Sequence, residues 1–284
     1  METLFAEVML RAVRTALTED IGAGDVTTIA TVPEESVSRA RMVAREPLVL
    51  AGIEFAETAF RELSPTLQIE RMASDGQRTA AGKTLLSIEG STRAILSAER
   101  VALNFVQRLS GVATLTAQVV EAIKGTSAQI LDTRKTTPGW RSFEKYAVKC
   151  GGGANHRIGL YDQVLIKDNH LAALATEPPN AIEAAVRRAR ARFPGLLVEV
   201  EADTPAQVEQ ALLAGADIIL LDNMTLDEMR AAVFWAKGKA KTEASGGVRL
   251  STVRAIAETG VDFISVGALT HSACAVDIAL DFIE

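Results

Sequence analysis

The chain has 284 residues, is 48% hydrophobic and carries a formal net charge of −6, so it can bury one large core or two modest ones. The acidic balance argues against nucleic acid or an anionic membrane as the main partner, because both attract a basic surface. We therefore expect a soluble globular protein with no nucleic acid or membrane partner.

The two cysteines, Cys150 and Cys274, lie far apart in the sequence, and no Cys/His set has the spacing of a zinc site. We expect reduced thiols and predict no metal site among the side chains. No apolar run approaches the ~18 residues of a membrane span, and charged residues stand where a signal peptide would be apolar. These features favour a cytoplasmic location.

The first third of the chain mixes helical and strand patterns. Apolar residues recur at helical spacing in 3–18, and the pattern stops at the glycine-containing segment 21–24. Residues 39–45 alternate, which predicts a half-exposed strand, and 54–63 has the pattern of a helix. Further strand-like runs at 67–72 and 83–89 complete an α+β layer with an antiparallel sheet.

A long helical region follows at 91–124. Because glycine costs about 1 kcal/mol in a helix interior, we expect a break at Ser110–Gly111 and two separate helices. Glu99 and Arg100 lie on the first of them.

After Gly125 short apolar runs alternate with amphipathic helical segments, and such alternation predicts βα units around a parallel sheet. Six strands are expected, fewer than the eight of a complete barrel, so the pattern predicts an open or incomplete barrel. The predicted strands are 128–131, 163–166, 196–200, 217–221, 241–244 and 262–266.

Ionisable residues or glycines follow every one of these strands. In parallel α/β barrels the side chains at the C-terminal strand ends converge on one mouth, where active sites form. Residues 132–168 contain seven Lys/Arg against four Asp/Glu, in a chain that is acidic as a whole. A locally positive pocket in an acidic protein indicates a small anionic ligand.

The residue types suggest how such a ligand is held. Arginine forks grip carboxylates in a bidentate manner, whereas lysines suit a polyphosphate. Glycine turns that lead into helices suit a phosphate, because backbone N–H groups approach closely and the helix dipole helps. Glu201 and Asp222 could bond ribose hydroxyls or orient a phosphate through Mg²⁺. No nucleophile with an evident base is present, so covalent catalysis is not indicated.

Six motifs and two shorter elements together carry a resemblance that spans nearly the whole chain. The chain resembles the quinolinate phosphoribosyltransferase family through DTRKTTPG at 132–139, KYAVKCGGGxNHR at 145–157, GLYD at 159–162, IKDNH at 166–170, EVE at 199–201 and EASGG at 243–247, with DVTT at 25–28 and SxER at 97–100.

The resemblance implies an N-terminal open-faced α/β sandwich, a C-terminal incomplete six-stranded parallel α/β barrel, and a homodimer whose sites are shared between subunits. It divides the chain into 1–110, a barrel at 111–270, and a C-terminal helix at 271–284 that returns to the N-terminal domain. It also implies conversion of quinolinate and phosphoribosyl pyrophosphate to nicotinate mononucleotide, CO₂ and pyrophosphate, with Mg²⁺, in NAD synthesis.

The resemblance further implies a role for each matched residue. Quinolinate would be held by Arg134, His156 and Arg157, with Arg100 from the neighbouring subunit. The pyrophosphate would meet Lys135, Lys167 and His271, and the ribose would meet Glu201 and Asp222. The 5′-phosphate would bind at the turns, and the full expected set of turn and loop residues is Thr133, Ser245, Gly246, Gly247, Val266, Gly267 and Ala268. Lys135, Lys167, Glu201 and Asp222 are the expected catalytic residues.

Three alternatives stay open at the level of sequence. A related phosphoribosyltransferase could act on another aromatic acid, as does the molybdenum-locus paralogue of the family. A phosphate-binding barrel lyase could use Lys167 as a Schiff base. A catalytically silent binding or scaffold protein is the third reading.

Overall fold

The computed structural model describes the backbone of residues 2–283 and the side chains of residues 5–283. The chain forms two compact units. The first comprises the residues up to Ala117, the segment Ser142–Gly152 and the residues from Ala273 on, and the second comprises Gln118–Arg141 and Gly153–Ser272.

The helices and strands alternate along the chain. The helices are α1 (Glu2–Ile21), α2 (Val26–Thr31), α3 (Ile53–Leu63), α4 (Thr92–Ala122), α5 (Arg141–Cys150), α6 (Asp168–Ala172), α7 (Ala181–Arg192), α8 (Pro205–Ala214), α9 (Leu226–Ala236), α10 (Val253–Ala257) and α11 (Ala268–His271). The strands are β1 (Val37–Ala44), β2 (Leu48–Val49), β3 (Gln68–Arg71), β4 (Arg78–Thr79), β5 (Thr84–Ser91), β6 (Gln129–Leu131), β7 (Val164–Ile166), β8 (Val198–Ala202), β9 (Ile218–Asp222), β10 (Lys241–Ser245), β11 (Phe263–Ser265) and β12 (Ile278–Ile283).

The first unit contains an antiparallel four-stranded sheet in the order β12-β1-β5-β3. On β1, Ala40, Met42 and Ala44 are fully buried, whereas Arg39 and Arg41 are exposed. One face of the strand therefore packs on the core and the other meets solvent, as the period-two pattern predicts. The predicted α+β layer with an antiparallel sheet is confirmed.

The C-terminal segment forms a strand, and the prediction of a helix there is wrong. Strand β12 pairs antiparallel with β1 over Arg39–Ala44, and the Arg45 N–H donates to the Asp277 carbonyl at 2.9 Å. Without this strand the outer edge of β1 would present unpaired backbone groups. Pairing with that edge therefore decides the conformation of a short segment whose own pattern is ambiguous.

Helix α4 runs unbroken through Ser110 and Gly111, so the predicted break is also wrong. Gly111 is required for a different reason: a Cβ added there would lie 2.0 Å from the carbonyl oxygen of Cys274. The glycine permits a close approach of the C-terminal segment to the helix. This contact offsets the low helix propensity of glycine.

The second unit contains a parallel six-stranded sheet in the order β6-β11-β10-β9-β8-β7. Strands β6 and β7 form its two edges, so the sheet does not close, and the predicted incomplete barrel is confirmed. Helices α7, α8 and α9 each begin at a side-chain cap, provided by Asn180, Thr204 and Thr225. Among the described residues, no helix combines the length and apolar character needed to cross a bilayer.

Candidate active site

A cavity of about 420 Å³ opens at the C-terminal ends of the parallel strands in the second unit. Side chains from β6, β7, β8, β9 and β10, or from the residues just after them, line it, which is the arrangement expected for a barrel mouth. Nine of the predicted site residues line this cavity: Thr133, Arg134, Lys135, His156, Arg157, Lys167, Glu201, Asp222 and Ser245.

The buried carboxylate of Asp132 fixes the loop that comes after α5. Its oxygens accept from the Asn155 side-chain amide at 2.6 Å and from the backbone N–H of His156 at 2.9 Å. Backbone bonds between Ala154 and the end of β6 continue this attachment. The loop is thus joined to the strand end, and it brings His156 and Arg157 to the cavity that Arg134 lines.

Arg134 and Arg157 form a pair of guanidinium groups that repel one another. Burial, followed by the charge of Arg134, lowers the pKa of Arg157. The Arg134 Nε–H is buried without a hydrogen-bond partner among the described residues, which is costly for a donor of this kind. An anion with two acidic groups would satisfy the donor and relieve the repulsion.

His156 is already engaged at both ring nitrogens. Its Nδ1 accepts the backbone N–H of Arg157 at 2.7 Å, so the ring carries its hydrogen on Nε2, which lies 3.1 Å from Glu199 and 3.5 Å from Glu243. The ring is thus held between the Arg157 backbone and two buried carboxyl groups. The role of His156 in binding quinolinate stays a prediction.

Lys167 forms an ion pair with Glu201, and the two side chains are 43% and 11% exposed. Asp222 accepts from the Asn223 amide at 2.8 Å. A Schiff-base lysine needs an environment that favours its neutral form. The half-exposed side chain of Lys167 is instead paired with a carboxylate, which favours the protonated amine. The lyase reading of Lys167 therefore loses its main support.

The 266–268 turn leads directly into a short helix. Gly267 caps α11 and lies against Lys135 and His271, because a Cβ there would be 3.1 Å and 3.3 Å from them. Val266 is buried before it and Ala268 begins the helix.

The 245–247 turn has no helix directly behind it, since α10 begins only at Val253. The expected helix dipole is thus absent there. Gly246 instead permits close packing of the turn on Asn223, whose amide oxygen would be 2.1 Å from an added Cβ.

Arg100 belongs to the other unit. It lies on α4 with an exposed side chain, three residues after Ser97, whose hydroxyl donates to Asp25 at 2.9 Å. This bond links the two shorter N-terminal motifs. The role of Arg100 in a neighbouring subunit's site stays a prediction.

Four further residues that were not predicted from the strand ends also line the cavity: Leu165, Leu220, Glu243 and Ser265. Each lies two positions before a predicted site residue in the sequence. Because alternate residues of a strand face the same side, the period of two could have identified all four from the sequence.

Glu243 is the one ionisable side chain among these four residues. It is 1% exposed, and its burial, followed by the nearby charge of Glu199, raises its pKa to about 8. With Glu243 neutral at pH 7 and Lys167 paired to Glu201, three cations face the single carboxylate of Asp222. The three are Arg134, Lys135 and Arg157. The cavity is therefore electropositive, as the sequence predicts.

Comparisons with known proteins agree with this architecture. Family models described as "Quinolinate phosphoribosyl transferase, N-terminal domain" and "Quinolinate phosphoribosyl transferase, C-terminal domain" match residues 25–110 and 112–281. Together they span most of the chain.

Similar proteins share both sequence and structure over nearly their full lengths. A nicotinate-nucleotide pyrophosphorylase (carboxylating) of Mycobacterium leprae is 44% identical over 275 residues, which are 95% of each chain. A probable enzyme of the same name in Bacillus subtilis is 42% identical over 93% of this chain and 89% of its own. The nicotinate-nucleotide pyrophosphorylase structure from Francisella tularensis superposes with a TM-score of 0.92 at 42% identity, covering 98% of this chain and 96% of that one.

Replacing Asp132 by asparagine should loosen the loop that carries Arg157. The new amide turns one oxygen acceptor into a donor that faces the N–H groups of Asn155 or His156. We expect the free energy of unfolding to fall by about 1–3 kcal/mol and kcat/KM to fall at least about tenfold through misplacement of the arginine. Urea unfolding and steady-state kinetics measure both, with exposed Asp227→Asn as the control. Unchanged stability and kinetics would show that the loop is held by other contacts.

Proposed function

Because the chain belongs to the quinolinate phosphoribosyltransferase family, we propose that it converts quinolinate and phosphoribosyl pyrophosphate to nicotinate mononucleotide, CO₂ and pyrophosphate, in the de novo synthesis of NAD. The observation that carries the proposal is the buried, unsatisfied Nε–H of Arg134 beside a second guanidinium. A planar dicarboxylate supplies acceptors to both arginines.

The arginine pair serves the aromatic diacid. Arg134 and Arg157 bind its carboxylates with their planar forks, and His156, fixed by Glu199 and the Arg157 backbone, forms part of the wall beside them. Such fixed donors hold the ring nitrogen toward the sugar without reorganisation during the reaction. The cavity volume of about 420 Å³ is in the range of small-ligand sites.

The lysines and carboxylates serve the activated sugar. Lys135 and Lys167 face the pyrophosphate, with His271 beside Gly267, and Glu201 and Asp222 bond the ribose hydroxyls. The 5′-phosphate meets the backbone N–H groups of the 245–247 and 266–268 turns. This assignment is supported by the placement of Lys135, Lys167, Glu201, Asp222 and Ser245 around one cavity and by the open space beside Gly247.

Mg²⁺ fits this site as a companion of the pyrophosphate. The carboxylate of Asp222 at the mouth offers the oxygen donors that the ion prefers, and it would hold the ion directly or through water. When bound, the ion neutralises charge on the leaving group.

The chemistry needs positioning and charge stabilisation more than a nucleophile. As pyrophosphate leaves C1 of the ribose, positive charge builds on the sugar, and the carboxylates of Glu201 and Asp222 stabilise it. Lys135 and Lys167 stabilise the departing anion. The pyridine nitrogen then bonds to C1 and becomes cationic, which allows the adjacent ring carbon to retain the electron pair that CO₂ leaves behind.

A homodimer in the cytoplasm completes the proposal. Large apolar side chains are exposed in both units, with Val26 at 78%, Leu160 at 74% and Tyr161 at 74%. An exposed apolar patch is typical of a surface that another subunit covers, and Leu160 and Tyr161, adjacent in the chain, could belong to one. Arg100, exposed on α4, is the cation that each subunit would contribute to the other's site.

Arg134→Ala should remove most of the activity without unfolding the protein. Loss of one buried charged contact costs about 2–5 kcal/mol, so kcat/KM should fall roughly 30- to 4,000-fold. The measurement is release of CO₂ from quinolinate labelled in the 2-carboxyl group, with and without phosphoribosyl pyrophosphate. Arg188→Ala, which removes an exposed ion pair with Glu177, is the control and should keep full activity. If the unmodified protein releases no CO₂ with both substrates present, the proposed function is wrong.

Mixing Arg100→Ala with Lys135→Ala protein should restore activity that neither variant has alone. In a symmetric dimer with shared sites, an equal mixture yields hybrids in which one of the two sites is intact, giving about one quarter of the unmodified activity. Subunit exchange is followed separately with fluorescent labels. Complete exchange without any recovery would place Arg100 outside the partner's site.

A further inference from the structure

Two carboxyl groups lie buried behind the cationic site, and the proposed roles above use neither. Glu199 on β8 is 0% exposed and Glu243 on β10 is 1% exposed. By hydrogen-bond geometry, three of their four oxygens have no partner among the described residues: Glu199 Oε1 and both carboxyl oxygens of Glu243. The fourth accepts from the Gln163 amide at 2.7 Å and lies 3.1 Å from His156 Nε2. Ser265 and His156, whose Nε2 is 3.5 Å from Glu243, are polar neighbours of Glu243 outside that geometry.

Two adjacent carboxylates cannot both stay ionised and unpaired in a buried place, because removing each charge from water costs several kcal/mol. A proton on one of them resolves the conflict. Glu199 has the better partners for a negative charge, since both Gln163 and His156 donate toward it. Glu243 is therefore the one that is protonated, in agreement with its raised pKa.

The groups that face Glu243 come from every neighbouring element. Glu199 on β8 opposes its ionisation, whereas His156 on the loop, Ser265 on β11 and Lys167 after β7 favour it. Burial and the charge of Glu199 outweigh these three. Glu243 is thus an acid that holds its proton close to neutral pH.

Glu243 also lines the substrate cavity. It lies two positions before Ser245, so it is about 6–7 Å deeper along its strand and level with Leu220 of β9. Leu165 and Leu220 give this part of the cavity an apolar wall. An apolar wall favours loss of charge from a carboxylate that leaves as CO₂.

We propose that Glu243 is the general acid that protonates the pyridine carbon from which CO₂ departs, an inference that rests on the proposed function. The bond from ring carbon C2 to the carboxyl carbon breaks, CO₂ leaves, and the electron pair stays on C2 beside the cationic nitrogen. That pair takes the proton from the Glu243 carboxyl, a C–H bond forms, and Glu243 becomes a carboxylate. A proton from water restores the acid after the product leaves.

The other groups of the cavity are less suited to this step. Arginine does not give up a proton in proteins, Glu201 is held in an ion pair with Lys167, and the His156 Nε2–H faces Glu199. A neutral acid also avoids adding repulsion against a substrate with two carboxylates. Glu199 acts as a positioning residue, because its charge keeps the proton on Glu243.

Glu243→Gln tests the proposal, because glutamine has nearly the same shape and cannot donate an acidic proton. We expect kcat for CO₂ release to fall about 100-fold or more, while KM for both substrates changes less than about threefold, because the substrate-binding contacts remain. Exposed Glu258→Gln is the matched control. Unchanged kcat in Glu243→Gln would overturn the proposal. The proposed function would be unaffected, because it is tested separately by CO₂ release from the unmodified protein.

The pH profile separates an acid from a residue that only packs. The step needs protonated Glu243, so kcat of the unmodified enzyme should decline as the pH rises through about 8. Glu243→Gln should lack this decline, whereas Glu243→Asp, which retains an acid, should keep a decline at reduced kcat. An identical profile in all three proteins would contradict the proposal, and the aspartate variant alone decides it if the glutamine variant does not fold.

Stability gives a readout without turnover. The folded state binds one proton more than the unfolded state between the ordinary glutamate pKa and about 8, so stability should fall as the pH rises across this window. Glu243→Gln should remove this pH dependence of the free energy of unfolding. Glu199, Glu243 and His156 could also hold a metal ion. If the metal-free protein binds one equivalent of Zn²⁺ through these three residues, a cation neutralises the two glutamates, and the assignment of a proton to Glu243 is wrong.

Discussion

The attachment of the 154–157 loop to the end of β6 by the buried Asp132 carboxylate is the interaction on which the site depends. Parallel strands alone place Arg134, Lys167 and Asp222 at one opening. Arg157 lies far along the chain from β6, and the bonds of Asp132 to Asn155 and His156 bring its loop to the same opening. A charged residue of the fold thus helps to set the spacing between two cations of the proposed substrate site.

The charges of the barrel form two layers with opposite tasks. At the mouth, cations line the cavity and the two arginines repel one another. Deeper in the barrel, burial and the charge of Glu199 raise the pKa of Glu243, which lowers the negative charge of the pair. This separation lets a net-acidic protein present an electropositive cavity, with the proposed proton source in the same cavity as Leu165 and Leu220.

The sequence was sufficient for features that depend on local periodicity. Alternation in β1 and the βα rhythm after Gly125 predict both sheets, and residues at strand ends predict the mouth. The family resemblance then assigns a chemistry that side-chain types alone leave open.

The misses have a common cause in long-range contacts. The C-terminal strand forms because β1 offers an unpaired edge, and α4 continues through Gly111 because the chain near Cys274 packs against that glycine. Neither contact is visible in a window of sequence, although the position of Glu243 in the cavity was accessible from the strand period.

We expect the site to hold two carboxylates on one pyridine ring. Isothermal titration of the protein with quinolinate and with nicotinate, each without phosphoribosyl pyrophosphate, measures this preference. Quinolinate should bind at least about tenfold more tightly, because nicotinate leaves one guanidinium without its carboxylate. Equal affinities, or tighter binding of nicotinate, would contradict it.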